Sequence, residues 1–161
     1  MRREARRWRV EPSLILAVIH TESHFRPHVR SHKGAIGLMQ LVPETGGRVA
    51  RQVAFGDDSI PENAILLDPE SNVRLGTAYL SWLRDEVFGD VVGEVARTTC
   101  CLAAYNAGPA RVRAWSCVAV GGKARPDLVA SMPWRETRQF IKRVSLRHRF
   151  YKALLIDRIL G

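Results

Sequence analysis

Apolar residues along this chain recur mostly at three- and four-residue intervals, the spacing of a helix face rather than of a strand. After Pro12, a residue suited to a first helical turn, Leu14, Ile15, Val18 and Ile19 predict a helix running to about His24. Pro27 and the stretch HVRSHKG, with Ser31 and Gly34, read as a loop. Residues 35–53, AIGLMQLVPETGGRVARQV, predict a second helix bent near Pro43 and Gly46-Gly47, and residues 55–67 look like a surface excursion. Asp68-Pro69 opens a long helix whose stripe is Val73, Leu75, Ala78, Tyr79, Trp82 and Leu83, with Gly89 ending it. A further helix is predicted over about 92–106, broken by Gly108-Pro109 before a short piece carrying Val112 and Trp115. Gly121-Gly122 and Pro126 mark another loop, and residues 134–160 close the chain as one or two basic amphipathic helices. No strand alternation and no repeat interrupts this pattern, so the expected fold class is mainly α in a single domain over 1–161.

Composition narrows the partner more than the fold. Lys and Arg number 25 against 16 Asp and Glu, a net +9, with Arg crowded at both ends of the chain. Such an excess favours a polyanion: nucleic acid, an anionic membrane surface or an acidic cell-wall polymer. No apolar run approaches the roughly 20 residues of a membrane span. The basic start followed by LILAVI resembles a signal peptide only superficially, because that run is six residues long and leads into HTESHF. It reads as a core helix, with any export signal missing from this chain. Cys100, Cys101 and Cys117 are too few for a disulfide framework; packed thiols are expected, the alternative being Cys117 bridged to Cys100 or Cys101.

One carboxylate stands out against this background. Counting back three, four and seven residues from Glu22 gives Ile19, Val18 and Ile15, so Glu22 projects from the apolar face of its helix. There it serves either as a structural partner for one of the many Arg residues or as a general acid whose pKa desolvation has raised. In the loop beyond, Ser31 and Gly34 precede Gly37-Leu38-Met39-Gln40, in which Met39 offers an apolar contact and Gln40 an amide that both donates and accepts. That pair suits a sugar bearing an N-acetyl group, although taken alone such a segment is more often plain core packing. Tyr105-Asn106 before Ala107-Gly108-Pro109 presents an aromatic ring and an amide at a helix end, where ligand contacts and simple termination are both natural.

Taken together these segments resemble a known family. Glu22-Ser23 with Phe25, Pro27 and Ser31, then Gly34-Ala35-x-Gly37-Leu38-Met39-Gln40, Pro43-x-Thr45, Ala104-Tyr105-Asn106-Ala107-Gly108 and Glu136-Thr137-Arg138 are similar to the lytic transglycosylase (SLT) domain related to goose-type lysozyme. Leu67-Asp68-Pro69-x-x-Asn72-Val73-x-x-Gly76-x-x-Tyr79-Leu80 also fits, especially the membrane-bound murein transglycosylase branch. The resemblance covers roughly residues 10–150. Each motif alone is weak; their order and spacing are specific.

The resemblance implies a lysozyme-like α-helical domain with a substrate groove. It implies cleavage of the MurNAc-β-1,4-GlcNAc bond of peptidoglycan without water, leaving 1,6-anhydroMurNAc ends. Glu22 would protonate the departing oxygen and then, as a carboxylate, take the proton of the muramoyl 6-hydroxyl, the substrate's N-acetyl oxygen replacing a second carboxylate. Ser31, Met39 and Gln40 would line the sugar subsites, with Tyr105 and Asn106 as the opposite wall. Ser23 would support the turn after the helix, and Glu136 would serve structure first. Where the family usually has Tyr after Glu-x-Arg-x, this chain has Phe140, whose ring would instead stack on sugar. The expected partner is the peptidoglycan glycan strand, met by a monomer in the periplasm or cell envelope, with no nucleic acid, no cofactor and no metal.

Three other readings compete. His20-x-Glu22 opens a zinc deaminase pattern, but no P-C-x-x-C follows and Pro27 interrupts the His20, His24, His28 series. A hydrolytic lysozyme would give reducing ends instead of anhydro ends. A non-catalytic basic module would bind wall or nucleic acid by charge, although the aromatics of the last helix show no readout motif.

Overall fold

The computed structural model describes residues 1–115 and 127–160. Among them eight α-helices and no strand form, and they divide into two compact units: Met1–Ser81 with Val144–Gly161, and Trp82–Arg143. The mainly α expectation is met.

In the first unit the basic N-terminus, read from sequence only as charge, folds as α1 (Arg2–Trp8), turning Glu4 and Ala5 inward. Arg9 ends it at φ 52. Helix α2 (Pro12–Ser23) starts on Pro12 as predicted and buries Ile15, Ala17, Val18 and Ile19. It stops because His24 and Phe25 take φ values of 52 and 63, which turn the chain out of the helical path.

The helix predicted over residues 35–53 is corrected in its first half. Gly37 at φ 82 and Gln40 at φ 48 lie in the left-handed region, so residues 37–40 form a turn between Ile36 and Leu41, which pair with each other. Ile36 N–H donates to the Leu41 carbonyl at 2.9 Å and Leu41 N–H returns to Ile36 at 3.1 Å. Helical structure begins only at Pro43, with a π-helical turn Pro43–Gly47 leading into α3 (Arg48–Phe55). The predicted surface excursion contains a short helix, α4 (Asn63–Leu67), pinned by buried Leu66.

Helix α5 (Pro69–Trp82) continues into a π-helical turn, Leu83–Val87. Its start is capped by Asp68, whose carboxylate accepts the Ser71 N–H at 2.8 Å; that bond holds the carboxyl below its ordinary range. The predicted stripe is buried at Val73, Leu75, Ala78, Tyr79 and Leu83.

The second unit contains α6 (Glu94–Ala107) and α7 (Pro109–Trp115), separated by Gly108 at φ 90. Cys100 and Cys101 are buried on α6, while Cys117 and the turn signals at Gly121-Gly122 and Pro126 lie outside the described residues. The closing segment is one helix, α8 (Arg135–Leu160). No helix among the described residues is long and apolar enough to cross a membrane.

Candidate active site

Glu22 sits half-buried in the last turn of α2, and the residues around it fix that turn. The buried Ser23 hydroxyl donates to the Ile19 carbonyl at 3.0 Å, while the Ser23 carbonyl accepts from Arg26 N–H at 3.1 Å and Arg26 Nε at 3.2 Å. Ser23 therefore ties the loop back onto the helix end, as the sequence reading expected. Thr21 donates to Ala17 at 2.7 Å and accepts from Arg147 Nη1 at 2.9 Å, and the Tyr151 hydroxyl lies 2.9 Å from His20 Nδ1. Burial, with the charges of Arg147 and His24, pushes the His20 pKa below its ordinary 6.5, favouring the neutral ring that accepts from Tyr151.

The loop beyond α2 is built from its own side chains. Ser31 Oγ accepts the N–H groups of Lys33 at 3.2 Å and Ala35 at 3.0 Å, closing the turn and leaving its O–H as donor. Gln40 places its amide nitrogen 2.9 Å from the Gly37 carbonyl and 3.1 Å from that of Val29. Both amide hydrogens are thereby used within the loop, and the side-chain carbonyl is the group Gln40 offers outward: an acceptor, where the sequence suggested donor and acceptor alike.

Met39 is corrected more strongly. It is 0% exposed, packed so tightly against α5 that a Cβ at Gly76 would collide with its sulfur. A side chain in that position shapes the loop from beneath. Its N–H donates to Asn72 Oδ1 at 2.8 Å. Asn72, quoted from sequence within the family segment but given no role there, also donates to the carbonyls of Ile36 at 3.0 Å and Leu66 at 2.8 Å while fully buried. The signal was present: Asn72 precedes Gly76 and Tyr79 by four and seven positions, a polar residue in the apolar register of α5.

In the second unit Tyr105 and Asn106 end α6, both half-buried. Buried Thr137, in the first turn of α8, donates its hydroxyl to Asn106 Oδ1 at 2.8 Å. The amide carbonyl is thus held, and the Asn106 NH2 is the group left to donate. Phe140 lies nearly parallel to Tyr105, 3° between planes and 6.5 Å between centroids, at 2% exposure. Expected from sequence to stack on sugar, Phe140 here packs parallel to the Tyr105 ring.

Two other acids are engaged at the surface. Asp57 meets Arg51 at 2.7 Å and Asp58 meets Arg48 at 2.5 Å. Hydrogen bonds from Ser59 and then Arg51 hold the Asp57 pKa at about 2, that of a fixed anion rather than a proton donor near neutral pH. Glu44 and Glu136 are exposed.

Residues 1–124 match the Transglycosylase SLT domain family. Over 158 residues the chain is 35% identical to membrane-bound lytic murein transglycosylase C of Actinobacillus pleuropneumoniae serotype 5b, covering 90% of this chain and 42% of that protein. It superposes on the X-ray structure of an inactive Glu-to-Gln mutant of lytic transglycosylase Slt from Pseudomonas aeruginosa with a TM-score of 0.77 and 34% identity, covering 95% of this chain and 23% of that one. A complex of the 70-kDa soluble lytic transglycosylase with bulgecin A gives a TM-score of 0.75 at 30% identity, again over 95% of this chain and 23% of the other. The chain thus spans well under half the length of these relatives, and shares with the two structures a helical, lysozyme-like fold. Matched through residues 1–124 of its 161, the chain belongs to the transglycosylase SLT domain family.

Proposed function

We propose that this chain is a peptidoglycan lytic transglycosylase with Glu22 as its acid/base. The observation that carries the reading is a half-buried carboxylate on the last turn of an otherwise apolar helix, whose neighbours Thr21 and Ser23 are hydrogen-bonded into place. Family membership supplies the substrate class, and a glutamate's importance is supported by the Pseudomonas relative, described as inactive with one Glu changed to Gln.

Protonated Glu22 donates to the glycosidic oxygen as the bond to the muramoyl anomeric carbon breaks. The substrate's N-acetyl oxygen stabilises that carbon, so one protein carboxylate suffices. Glu22, now anionic, removes the 6-hydroxyl proton as that oxygen closes the 1,6-anhydro ring, which returns the acid to its starting state. Ser31 O–H and the Gln40 carbonyl offer a donor and an acceptor to the glycan on the loop beside α2, and Tyr105 with the Asn106 NH2 offers a ring and a donor from α6. Met39 and Phe140 act from behind these groups. The chain works as a monomer on glycan strands in the periplasm or cell envelope.

Digestion of purified peptidoglycan, with product masses, tests the chemistry. Anhydro ends one water lighter than reducing ends are expected, and Glu22→Gln lowers their release at least about a hundredfold, as loss of a general acid does. Reducing ends alone would make the enzyme a hydrolase. Release by Glu22→Gln at the parent rate would remove Glu22 from the mechanism.

A further inference from the structure

The outer face of α8 (Arg135–Leu160) carries apolar residues where a solvated helix would carry polar ones. Leu146, Phe150 and Leu154 follow one another at four-residue intervals and stand 62%, 60% and 41% exposed. At about 100° per residue the three fall within one arc of the helix, on the side away from buried Val144 and half-buried Tyr151. Arg149 borders this stripe on one edge and Arg143 on the other, both exposed, and Lys142 precedes it by one turn. From Thr137 to Ile156 the sequence contains no Asp or Glu. Glu11 binds His148 at 2.8 Å and Lys152 at 3.1 Å, off the stripe.

Charge and shape select the occupant. A glycan strand would use the Phe150 ring but gains little from two flanking leucines, and an apolar protein groove has no need of cations along both edges. A helix lying in the plane of a bilayer interface needs both: apolar side chains that enter the headgroup–acyl boundary, and long basic side chains that run along them to reach phosphates. We propose that the outer face of α8 docks on an anionic phospholipid surface, with Leu146, Phe150 and Leu154 inserted and Arg143 and Arg149 on lipid phosphates. This face contains none of the residues assigned to glycan cleavage, and the proposal stands whether or not Glu22 is the acid/base.

Sedimentation of the 161-residue chain with phosphatidylcholine vesicles, with and without phosphatidylglycerol, tests it. The chain should pellet with the phosphatidylglycerol vesicles, release as salt is raised, and stay in solution with phosphatidylcholine alone. Combining Leu146→Ser, Phe150→Ser and Leu154→Ser should lower the partition constant at least about tenfold, because interfacial binding scales with the apolar area inserted. Arg143→Gln with Arg149→Gln should weaken it while leaving the circular dichroism spectrum of the parent. Absence of pelleting with phosphatidylglycerol vesicles overturns the proposal. Pelleting of the triple variant equal to the parent's also does so, since adsorption would then be charge alone. A concentration-dependent dimer in sedimentation velocity that the triple variant abolishes overturns it too, by assigning the face to a second copy.

Discussion

Asn72 engages both amide hydrogens and its carbonyl with backbone, and through them sets the conformation of the loop that carries Gln40. Replacing it with Ala leaves the Met39 N–H and the Ile36 and Leu66 carbonyls without those bonds in a buried site, where each orphaned group costs roughly 1–3 kcal/mol. Asn72→Ala should therefore destabilise the chain by about 3 kcal/mol or more in urea unfolding. Gly37→Ala should do comparable damage, because it adds a left-handed φ penalty to a collision with Asn72 and the Leu66 carbonyl. Loss of less than about 0.5 kcal/mol in both variants would show that the loop holds its shape by other means. Thr137 acts on a single bond. Thr137→Val keeps the shape but leaves Asn106 Oδ1 unheld, so the amide rotates and its donor is no longer aimed. One hydrogen bond of about 1 kcal/mol is a five- to tenfold effect, expected in KM more than kcat and restored by Thr137→Ser. A purely structural Thr137 would instead lower the unfolding midpoint and leave KM where it was.

At the scale of elements, α8 is pinned to α2 by Glu11 with His148 and Lys152, Thr21 with Arg147, and His20 with Tyr151. Burial raises the Glu11 pKa, but the bonds from His148 and Lys152 outweigh it and hold the carboxyl below its ordinary 4.5. The folded state thus binds fewer protons than the unfolded chain near and below pH 4.5. The stability that Glu11 contributes is full above that pH and lost as pH falls through the folded value. His20, also depressed, has the same sign from 6.5 downward, since its neutral form is the folded one. Urea midpoints should therefore fall on acidification first below about pH 6.5 and again below about 4.5, and Glu11→Gln should shrink the second step only, the depressed Asp57 and Asp68 supplying the rest. With Glu11 half exposed, its share of that step is under about 1 kcal/mol. An unchanged second step in Glu11→Gln would assign it to other carboxylates. None of these four pairs was legible in the sequence, because each joins residues more than a hundred positions apart. What periodicity did reveal was local: the face of α2 behind Glu22, the Pro12 start, and the ends of α6 and α7. It failed where a non-local group overrode it. Residues 35–42 look helical in composition, yet Asn72 captures the Met39 N–H that a helix would have used. The same blindness hid the burial of Phe140 and left core packing as only one of two readings for Met39, since motif position does not say which residues reach the surface.

For the whole molecule the dominant property is its net charge of +9, which suits the polymer of the proposed function, whose peptides carry free carboxylates. Under the proposed mechanism, attraction of that kind acts before the bond is cleaved, by concentrating the chain on the polymer, whereas the proton transfers assigned to Glu22 belong to the bound complex. The two stages respond differently to salt. Raising ionic strength from about 0.1 M to 1 M shortens the Debye length from about 10 Å to about 3 Å, which screens exposed arginines from polymer carboxylates but scarcely alters contacts already made within the site. Initial rates of peptidoglycan digestion at low substrate should therefore fall with added NaCl, while rates at saturating substrate and the proportion of anhydro ends stay constant. Amidating the peptide carboxylates of the polymer should abolish the salt dependence at low substrate. If digestion were equally fast across the salt range on unmodified polymer, the basic surface would have no part in meeting the wall. The arginines of α8 would then be accounted for by the bilayer alone, a division of labour that the vesicle and digestion experiments separate because they read different partners of the same charge.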